Sequence, residues 1–115
     1  MKEFDNCANG IIGLETSIPL AMTNLVNKGK IKIKELVKRY TLNPATILKL
    51  ETGHLSGGAQ ADVTTIDPEL EKEVVKEEFE SKGRNTPFDG MVLKGWPVMT
   101  IVKGKVVFDG EKILK

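Results

Sequence analysis

Hydrophobic residues recur at two different spacings along the chain, and the spacing changes near Gly53. Through residues 15–50 they fall three and four positions apart, which predicts amphipathic helices. Beyond Gly53 apolar and polar residues tend to alternate, which predicts strands with one buried face. The pattern therefore indicates an α+β chain in which a helical half precedes a strand half. Because the junction at Gly53 is too short to be a flexible linker, we expect the two halves to pack together.

Three helices are predicted in the first half. The first begins near Ser17, because Pro19 is tolerated only in the first turn of a helix. The second spans Ile33–Tyr40, where apolar residues follow the i, i+3, i+4, i+7 pattern. The third is short, with Asn43 as its N-cap and Pro44 at its first helical position.

The strand half begins with residues 61–67. We predict that Pro68 ends this strand, since proline cannot donate a ladder hydrogen bond. The acidic stretch 71–80 predicts a short strand followed by one turn of helix. Residues 85–90 end in Asp-Gly, which is typical of a loop.

Two more strands and a hairpin complete the predicted sheet. Residues 91–93 and 98–102 have the composition of strands. Lys103 and Gly104 then predict a two-residue turn that leads into the last strand, Lys105–Phe108.

Length, charge and cysteine content limit the class of protein. The chain has 115 residues, which suits one domain of ordinary size. A net charge of +1 gives no general attraction to nucleic acid or to anionic membranes. No apolar run approaches the length of about 18 residues that a membrane span needs. A single cysteine excludes an internal disulfide and suits a reducing cytosol. We therefore expect a soluble, cytoplasmic protein with no membrane or nucleic-acid partner.

Few residues offer catalytic or metal-binding chemistry. Cys7 could be a nucleophile, but the sequence assigns it no base, and most free cysteines are structural. His54 has no partners at zinc-site spacing, which favours a histidine in a turn. Gly57 and Gly58 do not match a phosphate-binding loop. The residues alone therefore predict no catalytic residue and no metal ligand.

A competing hypothesis is a helix-turn-helix DNA-binding module over residues 36–53. Only Thr46 and Lys49 of its second helix could reach base edges, while Ile47 and Leu48 are apolar and suited to burial. A solvated basic helix face is the simpler interpretation. The basic residues nearby are Lys28, Lys30, Lys32, Lys34, Lys38 and Arg39.

Four blocks of sequence, in a fixed order, carry a family resemblance. They lie within residues 8–16, 41–48, 53–67 and 81–104. The first contains Gly-Leu-Glu-Thr and the last contains Asn-Thr-Pro-Phe, and these two motifs are the most specific. Together the blocks resemble the C-terminal part of bacterial dihydroorotase, a cyclic amidohydrolase of pyrimidine biosynthesis. The resemblance covers essentially the whole chain.

The resemblance implies a fold and a chemistry. The family enzyme is a (β/α)8 barrel with a small β-sandwich, and this hydrolase interconverts N-carbamoyl-L-aspartate and L-dihydroorotate. Its zinc ions are held by His residues, a carboxylated Lys and an Asp, which on the family pattern all precede Met1. Residues 1–53 would then be the last loop and helices of the barrel, and residues 54–115 the C-terminal part of the sandwich. We expect the chain alone to be inactive and without a cofactor, and to need the N-terminal barrel segment or else to self-associate.

Asn9 and Gly10 match the family loop whose backbone touches the ring or carboxylate region of the substrate. These two are the substrate-binding residues that the resemblance assigns. The alternative is that Gly10 only serves loop geometry. Three positions depart from the family pattern: Cys7 replaces a small residue, Ala8 stands at a common proline site, and Lys32 stands at an N-cap where serine is typical.

Overall fold

The computed structural model describes residues 9–114, in which helices precede a three-stranded antiparallel sheet. The helices are α1 (Ser17–Ala21), which continues as a π-helical turn over Met22–Val26, α2 (Ile33–Tyr40) and α3 (Leu42–Leu48). The strands are β1 (Val63–Glu73), β2 (Val92–Val102) and β3 (Lys105–Phe108), in the sheet order β1-β2-β3. A 3-10 turn, Lys76–Glu78, follows β1. The α+β class and the order of its two halves are as predicted.

The first two helices begin where the sequence predicts. Helix α1 begins at Ser17 with Pro19 buried in its first turn, and Gly29, at φ 68°, follows its π-helical extension. Helix α2 has the predicted bounds. Its N-cap residue, Lys32, has an extended backbone and makes no side-chain capping bond, so the first amides of α2 lack the acceptor that a serine would supply.

Helix α3 begins earlier than predicted. Its N-cap is Thr41 and not Asn43, and Pro44 is its third residue. Proline is acceptable there because the first amides of a helix have no partner within the helix. The first backbone bond is donated by Ala45 N to Thr41 O at 3.1 Å. Lys49, at φ 55°, then ends the helix in a left-handed conformation.

The prediction that Pro68 ends the first strand is wrong. Strand β1 continues to Glu73 through an irregularity between Asp67 and Glu71, where the pairing with β2 shifts. Asp67 Oδ1 accepts bonds from the backbone N–H groups of Glu69 and Leu70, at 2.9 and 3.2 Å. Pro68 therefore lies in a bulge, where its missing N–H costs no ladder bond.

Strand β2 is continuous, whereas the sequence predicts two strands separated by residues 94–97. Gly95, opposite the bulge of β1, has φ 92°, and Pro97 still pairs with Ile66. The predicted hairpin between β2 and β3 is confirmed. Its two turn residues, Lys103 and Gly104, have φ of 50° and 78°, as a turn matched to strand twist requires.

The core draws buried residues from the helices and from the strand half. Its buried apolar side chains are Met22, Leu36, Ala45, Val74 and Leu93. The Thr23 hydroxyl donates to Lys94 O at 3.1 Å and accepts from Lys94 N at 2.8 Å. A Cβ at Gly95 would lie 2.5 Å from the Cβ of Met22, so only glycine permits this approach. The helical and strand halves therefore pack against each other, as expected.

Candidate functional site

The candidate site centres on loop 9–16, which has little regular structure and lies against a second loop, residues 80–86. The side-chain Nδ2 of Asn85 donates a hydrogen bond to Gly10 O. The backbone oxygen of Asn85 accepts one from Ile12 N at 3.0 Å. One residue of loop 80–86 therefore binds loop 9–16 on both sides of Ile11.

A second contact holds the other end of loop 9–16. The Glu15 carboxylate accepts from Glu80 N at 3.1 Å through Oε2 and from Ser81 N at 3.2 Å through Oε1. A Cβ at Gly83 would lie 2.9 Å from Cγ2 of Ile12. The two loops are therefore joined by hydrogen bonds and by a close contact that a larger residue at position 83 would disturb.

Helix α2 supports the point where loop 9–16 enters α1. Tyr40 Oη donates to Ser17 O at 3.1 Å, and Ser17 Oγ donates to Leu14 O at 3.1 Å. Thr16 is 1% exposed, and its hydroxyl has no hydrogen-bond partner among residues 9–114. A buried hydroxyl without a partner costs about 1–3 kcal/mol, and nothing among the described residues offsets that cost at Thr16.

Asn9 and Gly10, to which the family resemblance assigns a substrate contact, lie exposed at the start of this loop. Gly10 does not have the left-handed backbone that favours glycine. Within the described part of the chain, no atom other than those of Gly10 and its two chain neighbours lies within 4 Å of a Cβ built on it. Neither backbone strain nor crowding among these residues therefore requires glycine at position 10.

A groove of about 1000 Å³ runs between loop 9–16, the turn after β1 and the sheet. Leu14, Phe79, Trp96 and Phe108 contribute to its lining. Leu14 is 94% exposed. The groove is largely apolar, but seven ionisable side chains also line it: Glu15, Lys72, Glu73, Glu78, Glu80, Glu111 and Lys112.

The described residues do not fit a zinc site. Within residues 9–114 no group of three or more His, Cys, Asp or Glu side chains could hold a metal ion. His54 is exposed in a turn, where its Nδ1 accepts from Ser56 N at 3.4 Å. Gly57 and Gly58 form the turn expected there. Cys7 lies outside the described residues.

The shifted ionisable groups belong to turns and surface ion pairs. The Lys103 backbone N–H lowers the pKa of Asp62, and the Lys112 backbone N–H lowers the pKa of Asp109. Asp89 pairs with Lys76 at 2.8 Å; this bond lowers the pKa of Asp89 and raises the pKa of Lys76. These carboxylates therefore stabilise local structure.

Glu69 forms a further pair with Lys94 at 2.6 Å, and this hydrogen bond raises the pKa of Lys94. Both this pair and the pair at Asp89 lie in the strand half of the chain, far in sequence from loop 9–16.

The geometry gives little support to the helix-turn-helix hypothesis. Thr41 alone joins α2 to α3, whereas that motif uses a turn of about three to four residues. The Thr46 hydroxyl donates to Leu42 O at 2.8 Å within its own helix. Ile47 and Leu48, which the sequence marks for burial, are 79% and 65% exposed. They are exposed because the described neighbours of α3 cover its opposite face, at Ala45.

The structure brings together the two most specific motifs of the sequence. Glu15 comes from the first block and Asn85 from the last, and both join loop 9–16 to loop 80–86. Both motifs are visible in the sequence, but nothing in the sequence pairs them. Their only local signal is that each contains polar residues beside glycine or proline.

Comparison with known proteins identifies the family. The amidohydrolase family profile matches residues 3–107. Dihydroorotase of Brevibacillus brevis is 52% identical over 99 residues, which is 86% of this chain and 23% of that protein. Dihydroorotase of Halalkalibacterium halodurans is 47% identical over 106 residues, which is 92% of this chain and 25% of that protein. The chain therefore spans about a quarter of the length of these relatives.

A solved structure agrees with the sequence match. L-hydantoinase (dihydropyrimidinase) from Arthrobacter aurescens superposes with a TM-score of 0.88 at 37% identity, covering 95% of this chain and 25% of that one. The resemblance to cyclic amidohydrolases is thereby confirmed. The chain belongs to the amidohydrolase family.

Proposed function

We propose that this chain provides the C-terminal quarter of a dihydroorotase, which interconverts N-carbamoyl-L-aspartate and L-dihydroorotate. The proposal rests on sequence identity. The chain is 52% and 47% identical to the two dihydroorotases over most of its length, but only 37% identical to the L-hydantoinase. In this assignment residues 1–53 belong to the end of a (β/α)8 barrel and residues 54–115 to a β-sandwich. The enzyme would act in cytoplasmic pyrimidine biosynthesis.

Loop 9–16 is the part of this chain that we assign to substrate. The backbone of Asn9 and Gly10 is exposed, and the space beside Gly10 is open among the described residues. A backbone without a side chain allows a ligand to approach closely. On this proposal the loop lies at the barrel end where substrate binds, and Gly10 leaves room for the dihydroorotate ring or carboxylate.

Zinc chemistry is not assigned to this chain, because the described residues offer no fitting ligand set. On the proposal, zinc comes with the barrel segment, and the present chain binds and encloses substrate. The chain alone is then expected to be inactive.

Complementation tests the assignment. The purified chain is mixed, in the presence of zinc, with Brevibacillus brevis dihydroorotase from which the matching 99 residues have been removed. We expect hydrolysis of L-dihydroorotate by the mixture and none by either part alone. Failure of a soluble, folded mixture to recover activity contradicts the proposal. Recovery with hydantoin as the only accepted substrate would instead assign the chain to hydantoinases.

A pair of glycine variants tests the role of the loop. In the active mixture, Gly10→Ala is expected to raise the KM for dihydroorotate about tenfold, since the new methyl group occupies space assigned to substrate. Gly13→Ala is the matched control, because position 13 is equally open in the described structure. Equal KM values for the two variants contradict a substrate contact at Gly10.

A further inference from the structure

We propose that Asn85 and Glu15 are positioning residues, which hold the backbone of Asn9 and Gly10 in the conformation that receives substrate. This inference rests on the proposed function. Neither residue needs to touch substrate, because both act through loop 9–16.

Asn85 fixes the loop directly beside Gly10. Its side-chain amide donates to Gly10 O, and its backbone oxygen accepts from Ile12 N at 3.0 Å. The first bond requires an N–H donor, which an aspartate at position 85 cannot supply. The orientation of the Gly10 peptide therefore depends on one side chain that lies 75 positions away.

Glu15 fixes the other end of the loop. Its two carboxylate oxygens each accept from one of two consecutive backbone amides, Glu80 N and Ser81 N. Hydrogen bonds to an ionised acceptor are stronger than neutral ones. A glutamine at position 15 would keep only one acceptor oxygen and would leave one of these amides unpaired.

These contacts matter because loop 9–16 has little secondary structure of its own. Loops with few backbone bonds open readily, and ordering such a loop on binding lowers affinity. A loop that is already ordered by loop 80–86 avoids that cost. The expected signature is therefore a change in KM with little change in kcat.

Amide hydrogen exchange on the full chain tests the ordering step. Asn85→Ala and Asn85→Asp are each expected to raise the exchange rate of the Ile12 amide, which donates to Asn85 O, about tenfold. Asn43→Ala, at an exposed position of α3, is the matched control and should not change this rate. Unchanged exchange in both Asn85 variants overturns the inference. If the alanine variant does not fold, the aspartate variant and Glu15→Gln carry the same test.

Kinetics of the complemented enzyme separate positioning from folding. Asn85→Ala and Glu15→Gln should raise the KM for dihydroorotate about tenfold with kcat within about twofold. A merely structural defect would instead reduce the active fraction and so lower kcat at constant KM. Normal KM in an active mixture overturns the positioning role but leaves the proposed function intact. Absence of activity with the unsubstituted chain contradicts the proposed function, while the exchange experiment still decides whether Asn85 orders the loop.

Discussion

At the scale of single residues, two threonines near α1 show that the effect of a buried or part-buried hydroxyl on stability depends on its hydrogen bonds. Thr23 exchanges two hydrogen bonds with the backbone of Lys94 and so joins the first helix to the sheet. Thr16 is more deeply buried, yet its hydroxyl has no partner among residues 9–114. The hydroxyl of Thr23 is therefore compensated by the sheet, whereas nothing among the described residues compensates the hydroxyl of Thr16.

Thr16→Val is expected to raise the free energy of unfolding of the chain by about 1 kcal/mol, since it removes an unpaired polar atom and keeps the shape of the side chain. Thr23→Val should lower it by about 1–2 kcal/mol, because it leaves two backbone groups of Lys94 unpaired. Urea denaturation of both variants measures the difference. A loss of stability in Thr16→Val would mean that its hydroxyl has a partner in solution.

Acid should destabilise the chain through its turn carboxylates. The folded-state pKa values of Asp62, Asp89 and Asp109 lie below the ordinary aspartate value. Their stabilisation is therefore complete above the unfolded pKa of about 3.9 and is lost as pH falls through the lower folded pKa. We predict a steady urea midpoint from about pH 5 to 8 and a fall below about pH 4.

Asp89→Asn should lower the midpoint at pH 7 and weaken its pH dependence, whereas Glu51→Gln, at an exposed position, should do neither.

At the scale of elements, the sequence predicts correctly those helices and turns whose positions depend on residues close together in the chain. The apolar spacing of α2 and the two positive-φ residues of the β2–β3 hairpin were sufficient to place those elements. Pro44 and Pro68 were misjudged because proline satisfies more than one local rule. Pro44 fits the third helical position as well as the first, and Pro68 fits a bulge as well as a strand end. For Pro68 the choice depends on pairing with β2, a strand distant in sequence.

The candidate site shows the same limit. The substrate contact at Asn9 and Gly10 stays a prediction from the resemblance, and the structure leaves both residues exposed. The supporting contacts of Glu15 and Asn85 join residues 65 to 75 positions apart. One sequence carries no signal of such a pairing, because periodicity and turn chemistry report only on near neighbours.

The unfavourable start of α2 gives an element-scale prediction. Lys32→Ser is expected to raise the free energy of unfolding by about 1 kcal/mol, because a serine at the N-cap accepts a bond from an unpaired amide of the first turn. Lys30→Ser, at an exposed position before the helix, removes the same charge without capping and is the control. If the two variants raise the free energy of unfolding equally, the gain comes from the lost charge and not from capping.

At the scale of the whole molecule, apolar surface is the dominant feature. α3 and the segment after it expose large aliphatic side chains that the described residues do not cover. They are Ile47, Leu48, Leu50 and Leu55, at 79%, 65%, 54% and 79% exposure. Exposed apolar patches commonly mark surfaces that bind another protein. On the present account the partner is the remainder of the barrel.

Without that partner the chain should self-associate. We predict a sedimentation coefficient that rises with concentration. The double substitution Ile47→Gln and Leu48→Gln should reduce this association, because it removes exposed apolar area. Glu51→Gln is the control and should leave it unchanged. A monomer at all concentrations would contradict the assignment of this surface to a partner.

We propose that this chain binds substrate as part of a larger enzyme and does not itself catalyse. The most direct test is to measure zinc content and L-dihydroorotate hydrolysis for the purified chain incubated with zinc and then desalted. We expect zinc far below one ion per chain and a rate equal to that of a zinc-free control. One tightly held zinc per chain together with turnover above that control would contradict it.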